Sequence, residues 1–308
     1  GEHMNAQAEN MVLASFVGDS LALGAHWLYD TKELREKIGH LDGLRKPLAG
    51  SYHANKEKGD FTHYGDQELF LLKSLVRNSG FSAENFASEW RQYMQSYTGY
   101  LDKASKTTLT NMEEKPLTES GSSSNDLGGA ARIAPLVFLY RDDKEALLAT
   151  AIAQTKVTHN NPASLTGAAF LANVAWEVLH GADPAEATTA LVIKGVADIG
   201  LDTRLQAALD SVDKDSLTII KEFGQMCGID SALPSVVHLI IKYNTDLPAA
   251  LIANVYAGGD SAARGMSLGM VVGAAEGCTP LPSSWLTELR QYAHINELLT
   301  ALKKVQNK

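Results

Sequence analysis

The sequence predicts an all-α protein built as one compact domain. Three observations carry that expectation. Apolar residues recur at helical spacing along nearly the whole chain, no stretch alternates in the manner of a strand, and neither a fixed-period repeat nor a linker divides it. Hydrophobic residues make up 45% of the 308 and charged residues 20%, a balance that suits one large core better than several small ones. Residues 1–4, Gly-Glu-His-Met, read as an expression scar, so the domain is expected over residues 5–308.

Residues 11–24 (MVLASFVGDSLALG) are apolar on most faces, which describes a buried helix, and Asp19 stands out in its middle. Asp66 precedes Leu69, Leu72, Leu75 and Val76, and Gly80 follows, the pattern of an N-capped amphipathic helix with a glycine stop. Ser82 then introduces Phe86, Trp90, Tyr93, Met94 and Tyr97 at the same spacing. Further helices are expected over 144–156, 162–180, 185–198, 215–226, 234–243, 247–256, 261–275 and 284–303. Pro162, Pro184, Pro234 and Pro248 sit near four of their starts, where a missing N–H costs nothing. Segments 47–65 and 113–129 are rich in Gly, Ser, Asn and other turn formers; loops this long in a compact domain often carry function.

Composition excludes several classes. Lys and Arg number 27 against 36 Asp and Glu, a net charge of −9, and no basic run marks a nucleic-acid stripe. No run of about 18 apolar residues predicts a membrane span, and no secretory signal is visible. Two cysteines, Cys227 and Cys278, are too few for a disulfide framework and fit free thiols in a reducing cytoplasm. The oligomeric state is not legible.

Five polar clusters interrupt the apolar helices, and each has a bland reading beside a functional one. Asp19, His26, Trp27, Tyr29 and Asp30 follow the first helix, as a capped helix end or a site. Thr62, His63, Tyr64, Asp66 and Gln67 form the second; its oxygens suit Mg²⁺, while Asp66 is equally a plain N-cap. The third, SGSSSNDLGG, contains Ser124, Asn125, Asp126 and Gly128. It runs into a helix and offers backbone N–H groups to an anion, although no P-loop lysine follows. In the fourth, Thr158-His159-Asn160-Asn161-Pro162, Asn161 reads as a cap and His159 as a surface residue or a ligand contact. In the fifth, Asp260 caps the helix after Gly258 and Gly259, and Arg264 lies one turn on, within reach of an ion pair. Such clusters can converge at one end of a bundle.

In this order the motifs resemble the ADP-ribosylglycohydrolases over about residues 11–276. GDFTHYGDQ is similar to the family's Thr-Asp-Asp run, SNDLGGAARIAPL to its Gly-Asn-Gly…Met-Arg-Ile-Ala-Pro segment, THNNP to its Thr-His-Pro segment, and AGGDSAARGMSLGMVVGA to its Gly-Gly-Asp-Thr-Asp-Thr helix. HWLYD and THYGDQ look like the branch of the jellyfish lens J-crystallins and their bacterial relatives. The resemblance implies a compact orthogonal bundle of helices, two Mg²⁺ ions and hydrolysis of a glycosidic bond of ADP-ribose. The chain departs from that pattern: Asp260-Ser261-Ala262-Ala263 stands where the family has Asp-Thr-Asp-Thr, and Asp66 alone remains clear of the Thr-Asp-Asp run. Fewer carboxylates mean weaker binding of hard cations, so one weak Mg²⁺ or none is expected, with Thr62, Asp66, Asp260 and Ser261 as the remaining ligands. Asp66 and Asp260 are the expected catalytic carboxylates, with His63 and His26 for proton transfer near neutral pH, and Asp19, Ser124, Asn125, Asp126, Gly128 and His159 are the expected substrate contacts. The residues themselves add Arg264, within helical reach of Asp260, as a phosphate or ribose anchor near the lost metal position. The alternative is a catalytically silent relative that binds an ADP-ribose-like ligand or serves as a crystallin-like structural protein.

Overall fold

One long helix is buried over its C-terminal half and a second along its whole length, and the remainder of the chain is arranged around them. In the computed structural model, which describes residues 2–305, α1 spans Glu2–Leu23 and every residue from Met11 to Leu23 is buried. The helix α15 spans Ser261–Gly273, and all of its residues are buried as well. A helix that is apolar on every side must be surrounded by protein. These two cover each other through small residues. A Cβ placed on Gly18 would lie 2.0 Å from the Gly265 carbonyl oxygen, and one on Gly269 would lie 2.2 Å from the Ala14 oxygen. Gly273 faces Ala14 and Met11 in the same way. As the α1 partner falls from residue 18 to 14 to 11, the α15 residue rises from 265 to 269 to 273, so the helices run antiparallel. The C-terminal end of α1 and the N-terminal end of α15 therefore emerge side by side.

Around this pair lie α2 (Thr31–Ile38), α3 (His63–Arg77), α4 (Ala83–Gln95), α5 (Lys103–Asn111), α6 (Gly128–Ala131), α7 (Ala134–Leu139), α8 (Lys144–Lys156) and α9 (Pro162–Leu179). They are followed by α10 (Pro184–Lys194), α11 (Ile199–Leu209), α12 (Ser216–Phe223), α13 (Ile229–Tyr243) and α14 (Leu247–Tyr256), and after α15 by α16 (Ser283–Thr287) and α17 (Tyr292–Lys303). Among the described residues there is no strand, only three isolated backbone bridges, Leu28 with Gly259, Ser122 with His159 and Asp126 with Gly228. The chain is thus a single all-helical domain. No helix among the described residues is long and apolar enough to cross a membrane. Cys227 and Cys278 are both free.

Several boundaries differ from the sequence expectation. Helix α1 begins at Glu2, so residues 2–4 continue it. Thr62, not Asp66, is the N-cap of α3, and Asp66 lies in its first turn. Helices α2, α5 and α11 are short, with few buried residues each, and carry too little apolar pattern to be read from sequence. The expected helix over 284–303 is two helices, α16 and α17. Pro234 lies inside α13 rather than at its start. A proline there frees the carbonyl four residues back; Arg204 Nε donates to that carbonyl, Asp230 O, at 3.0 Å.

The α1–α15 contact generates a prediction. Gly18→Val would drive a side chain into the Gly265 backbone, which cannot yield without separating the helices. We expect a loss of about 3 kcal/mol in urea unfolding, at the upper end for overpacked cores. A loss below about 1 kcal/mol would show that the helices separate easily.

Candidate functional site

The two emerging helix ends define the site. Trp27 lies just beyond α1 with φ of 67°, a left-handed conformation uncommon for a bulky residue. Its N–H donates to Gly259 O at 2.9 Å, and Gly259 N–H donates to Leu28 O at 2.8 Å. Gly259 takes φ of 70°, and a Cβ there would lie 2.1 Å from Gln225 O, so only glycine fits this position. This short pairing locks His26 beside Asp260.

Asp260 is the hub. Expected as a helix cap, it makes no side-chain cap bond. His26 Nε2 lies 2.6 Å from its Oδ1, and the Tyr64 hydroxyl donates to its Oδ2 at 2.9 Å. Burial works against the charge on Asp260, but the His26 and Tyr64 hydrogen bonds outweigh it and hold the carboxyl below its ordinary range. His26 is itself pushed down, first by its burial, so this contact is a neutral imidazole donating to a carboxylate rather than an ion pair. With Nε2–H spent on Asp260, His26 Nδ1 accepts, and the donor is His53 Nε2 at 2.7 Å. Burial pushes His53 down to about 2, and its Nδ1 has no partner among the described residues. Tyr64, Asp260, His26 and His53 therefore form one hydrogen-bonded chain with assigned tautomers.

A second chain runs beside it. Arg132 is fully buried and donates to Thr158 Oγ1 at 2.6 Å and to Gln67 Oε1 at 2.7 Å. The Thr158 hydroxyl lies 2.7 Å from His159 Nδ1, and His159 Nε2 lies 2.7 Å from Asp126 Oδ1. Because Thr158 accepts from Arg132, its own hydrogen goes to Nδ1, and His159 donates through Nε2 to Asp126. Ser124 Oγ donates to the other Asp126 oxygen at 2.9 Å.

The remaining carboxylates are partnered too. Asp19 is fully buried and accepts from the Thr62 backbone N–H at 2.8 Å and from its hydroxyl at 2.5 Å. Burial dominates and raises Asp19 to about 7. Asp66 Oδ2 receives Lys56 Nζ at 2.5 Å and the Tyr97 hydroxyl at 2.6 Å. His63 Nε2 lies 3.1 Å from Asp102 Oδ2; burial disfavours charge on His63, yet Asp102 outweighs it and the imidazole is raised. Rings of His26, Trp27, His53, His63 and Tyr100 pack against one another above these groups.

Several site residues take other positions than expected. Asp19 and Arg264, expected at the substrate, have no exposed surface. Arg264 is fully buried, and its hydrogen bonds go to Asn254 and the Gly258 carbonyl, none of them to Asp260. Gly128 gives its N–H to Asp126 at 2.9 Å, and a Cβ there would lie 2.4 Å from the Tyr64 ring, so it serves close packing. His26 and His63 have no exposed side-chain surface. Thr62 is spent on Asp19 and on the α3 N-terminus, and Ser261 is buried with its hydroxyl unpartnered. Gly65 touches Asp19, so no side chain is admitted there. Sequence reasoning missed His53, Lys56, Tyr97 and Asp102. The first two lie in the long loop already marked as functional, which was the one available signal.

The donor set does not fit a pair of divalent ions. Lys56 already neutralises Asp66, His63 faces Asp102, and Asp19 is raised toward its neutral form. Among the described residues, no three or more His, Cys, Asp or Glu are gathered as a metal site in this arrangement.

The sequence profile of the ADP-ribosylglycohydrolases matches residues 3–308. The chain belongs to the ADP-ribosylglycohydrolase family. Crystallin J1A of Tripedalia cystophora is 25% identical, covering 98% of both chains. The ADP-ribosyl-[dinitrogen reductase] glycohydrolase of Rhodospirillum rubrum is 22% identical over 94% of this chain and 92% of its own. A solved structure described as an ADP-ribosylglycohydrolase-related protein complex superposes with a TM-score of 0.70 at 20% identity, over 99% of both chains, and shares the fold. The family thus includes relatives named as an enzyme and relatives named as crystallins.

Asp19 makes stability depend on pH. Its folded value of about 7 exceeds the unfolded 3.8, so the native state holds a proton that the unfolded chain has lost. Stability from this group is full below about pH 4 and falls as pH rises toward 7. Asp19→Asn keeps the shape without the charge. The variant should gain on the wild type in thermal midpoint between pH 4 and 7; a constant difference across that window would sink the assignment.

Proposed function

We propose that the protein is a glycosidase of the ADP-ribosylglycohydrolase type, cleaving a glycosidic bond of ADP-ribose or a related ribosyl compound without a two-metal centre. One observation carries the reading. Asp66, Asp102 and Asp126 keep 18%, 14% and 10% of their side-chain surface exposed, whereas Asp19 and Asp260 keep none, and in this reading the three line one acidic edge of the site. A structural protein has no evident need for that edge.

A glycosidic bond breaks through an oxocarbenium-like state that nearby carboxylates stabilise. Asp126 is oriented by His159 and Ser124 and suits the activation of a water. Asp66, although paired with Lys56 through Oδ2, keeps its other oxygen for positive charge developing on the ribose. Asp260 positions Tyr64 and His26 rather than touching substrate. A polar cavity of about 310 Å³ is lined by Lys103, Thr107 and Ser122–Asn125, and adjoins the chain on either side at Asp102 and Asp126. Its hydroxyls and ammonium suit a diphosphate, and its size is within the range of small-ligand sites. The substrate is then a small molecule or an ADP-ribosylated protein.

The second reading, a silent binder or crystallin-like protein, is favoured by the sealing of Asp19 and Asp260. Calorimetric titration with ADP-ribose, with and without Mg²⁺, separates the two. The glycosidase reading expects binding indifferent to Mg²⁺ and slow hydrolysis of ADP-ribosylated substrates that survives chelation. Asp126→Asn should lower that hydrolysis about a hundredfold or more. Absence of binding under both conditions would favour the structural role.

A further inference from the structure

Lys56 sits in the long loop between α2 and α3, and that loop is pinned. The Lys56 N–H donates to His53 O at 2.9 Å, and Asn55 Nδ2 donates to Thr98 O at 3.0 Å. Ser20 Oγ donates to Asp60 O at 2.8 Å. Gly59, with φ of 86°, lies against the connection between α16 and α17, where Arg290 N–H donates to its carbonyl at 3.1 Å. The loop thus presents Lys56 in one place, with its side chain only 14% exposed.

There its ammonium and the Tyr97 hydroxyl both meet a single oxygen of Asp66. An ammonium is a compact point charge with three donors, close in effect to a bound monovalent cation. It covers the Asp66 carboxylate from the loop side. A divalent ion needs several oxygen ligands with free lone pairs and surplus negative charge. With Lys56 present, one oxygen of Asp66 is filled twice and its negative charge is matched, so it is a poor ligand.

We propose that Lys56 is a tethered cation that takes, on Asp66, the place of a divalent ion, and that it keeps such ions out of the site. The proposal rests on Asp66 belonging to the site of the proposed function above. Its test reads metal affinity rather than hydrolysis, so either can fail without the other.

The experiment is titration of the purified protein with Mn²⁺, followed by electron paramagnetic resonance of the free ion and by thermal midpoint. Wild type should show no saturable binding into the millimolar range. Lys56→Gln and Lys56→Ala, checked for native helicity, should bind Mn²⁺ roughly tenfold tighter or more and be stabilised by it. Lys56→Arg should remain closed to the ion, and Lys56→Gln combined with Asp66→Asn should lose what Lys56→Gln gained. Saturable submillimolar binding by wild type would overturn the proposal whether or not the variants fold. A folded Lys56→Gln protein that binds no better than wild type would overturn it as well.

Discussion

The antiparallel contact of α1 and α15 is the constraint on which the rest depends. Backbone meets backbone at Gly18 and Gly265 and again at Ala14 and Gly269, so the helices approach more closely than ordinary side chains allow. This contact fixes where both helices end. It brings His26, just past one end, against Asp260, at the start of the other, across 234 residues of sequence. A wider spacing would leave Asp260 buried without its donors, which is costly for a carboxylate.

From that contact the site grows outward by hydrogen-bond necessity. Asp260 takes His26 and Tyr64, and His26 in turn takes His53. Arg132, itself buried, orders Thr158, then His159, then Asp126. The result is a gradient, with fully sealed groups at the helix ends and partly exposed carboxylates at the rim. The interior of the site is charge-compensated by Lys56 and His63, with Asp19 raised toward its neutral form by burial, so the cluster stands as a set of internal pairs. Buried polar networks of this kind are costly when half satisfied and rigid when complete.

Much of the fold was legible because it rests on local pattern. The unbroken apolar run of residues 11–24 gave α1 its buried character, and Asn161 and Ser82 marked helix starts that the structure retains. The five polar clusters were legible as departures from that pattern, and the structure draws them together. Partners were harder to read. Arg264 has the spacing of an ion pair with Asp260, but Asn254 and a carbonyl exposed by the Gly258 turn compete for it and win. His53 and Lys56 lie in a loop without periodicity, and their roles come only from contacts made after the loop is pinned to α1 and to the α16–α17 connection. Pro234 looked like a helix start because the side chain that rescues its orphaned carbonyl, Arg204, comes from another helix.

The three backbone bridges have a consequence for how the chain acquires its site. Each joins segments that are far apart in sequence at the mouth of the bundle: Leu28 with Gly259, Ser122 with His159, and Asp126 with Gly228. Helices form from near neighbours and are fast, whereas such closures must wait for long loops to be drawn in. A chain with most of its helices made, but its first and fifteenth not yet side by side, would have ordinary helical content and no site at all. The polar mouth is therefore an indicator of completed folding.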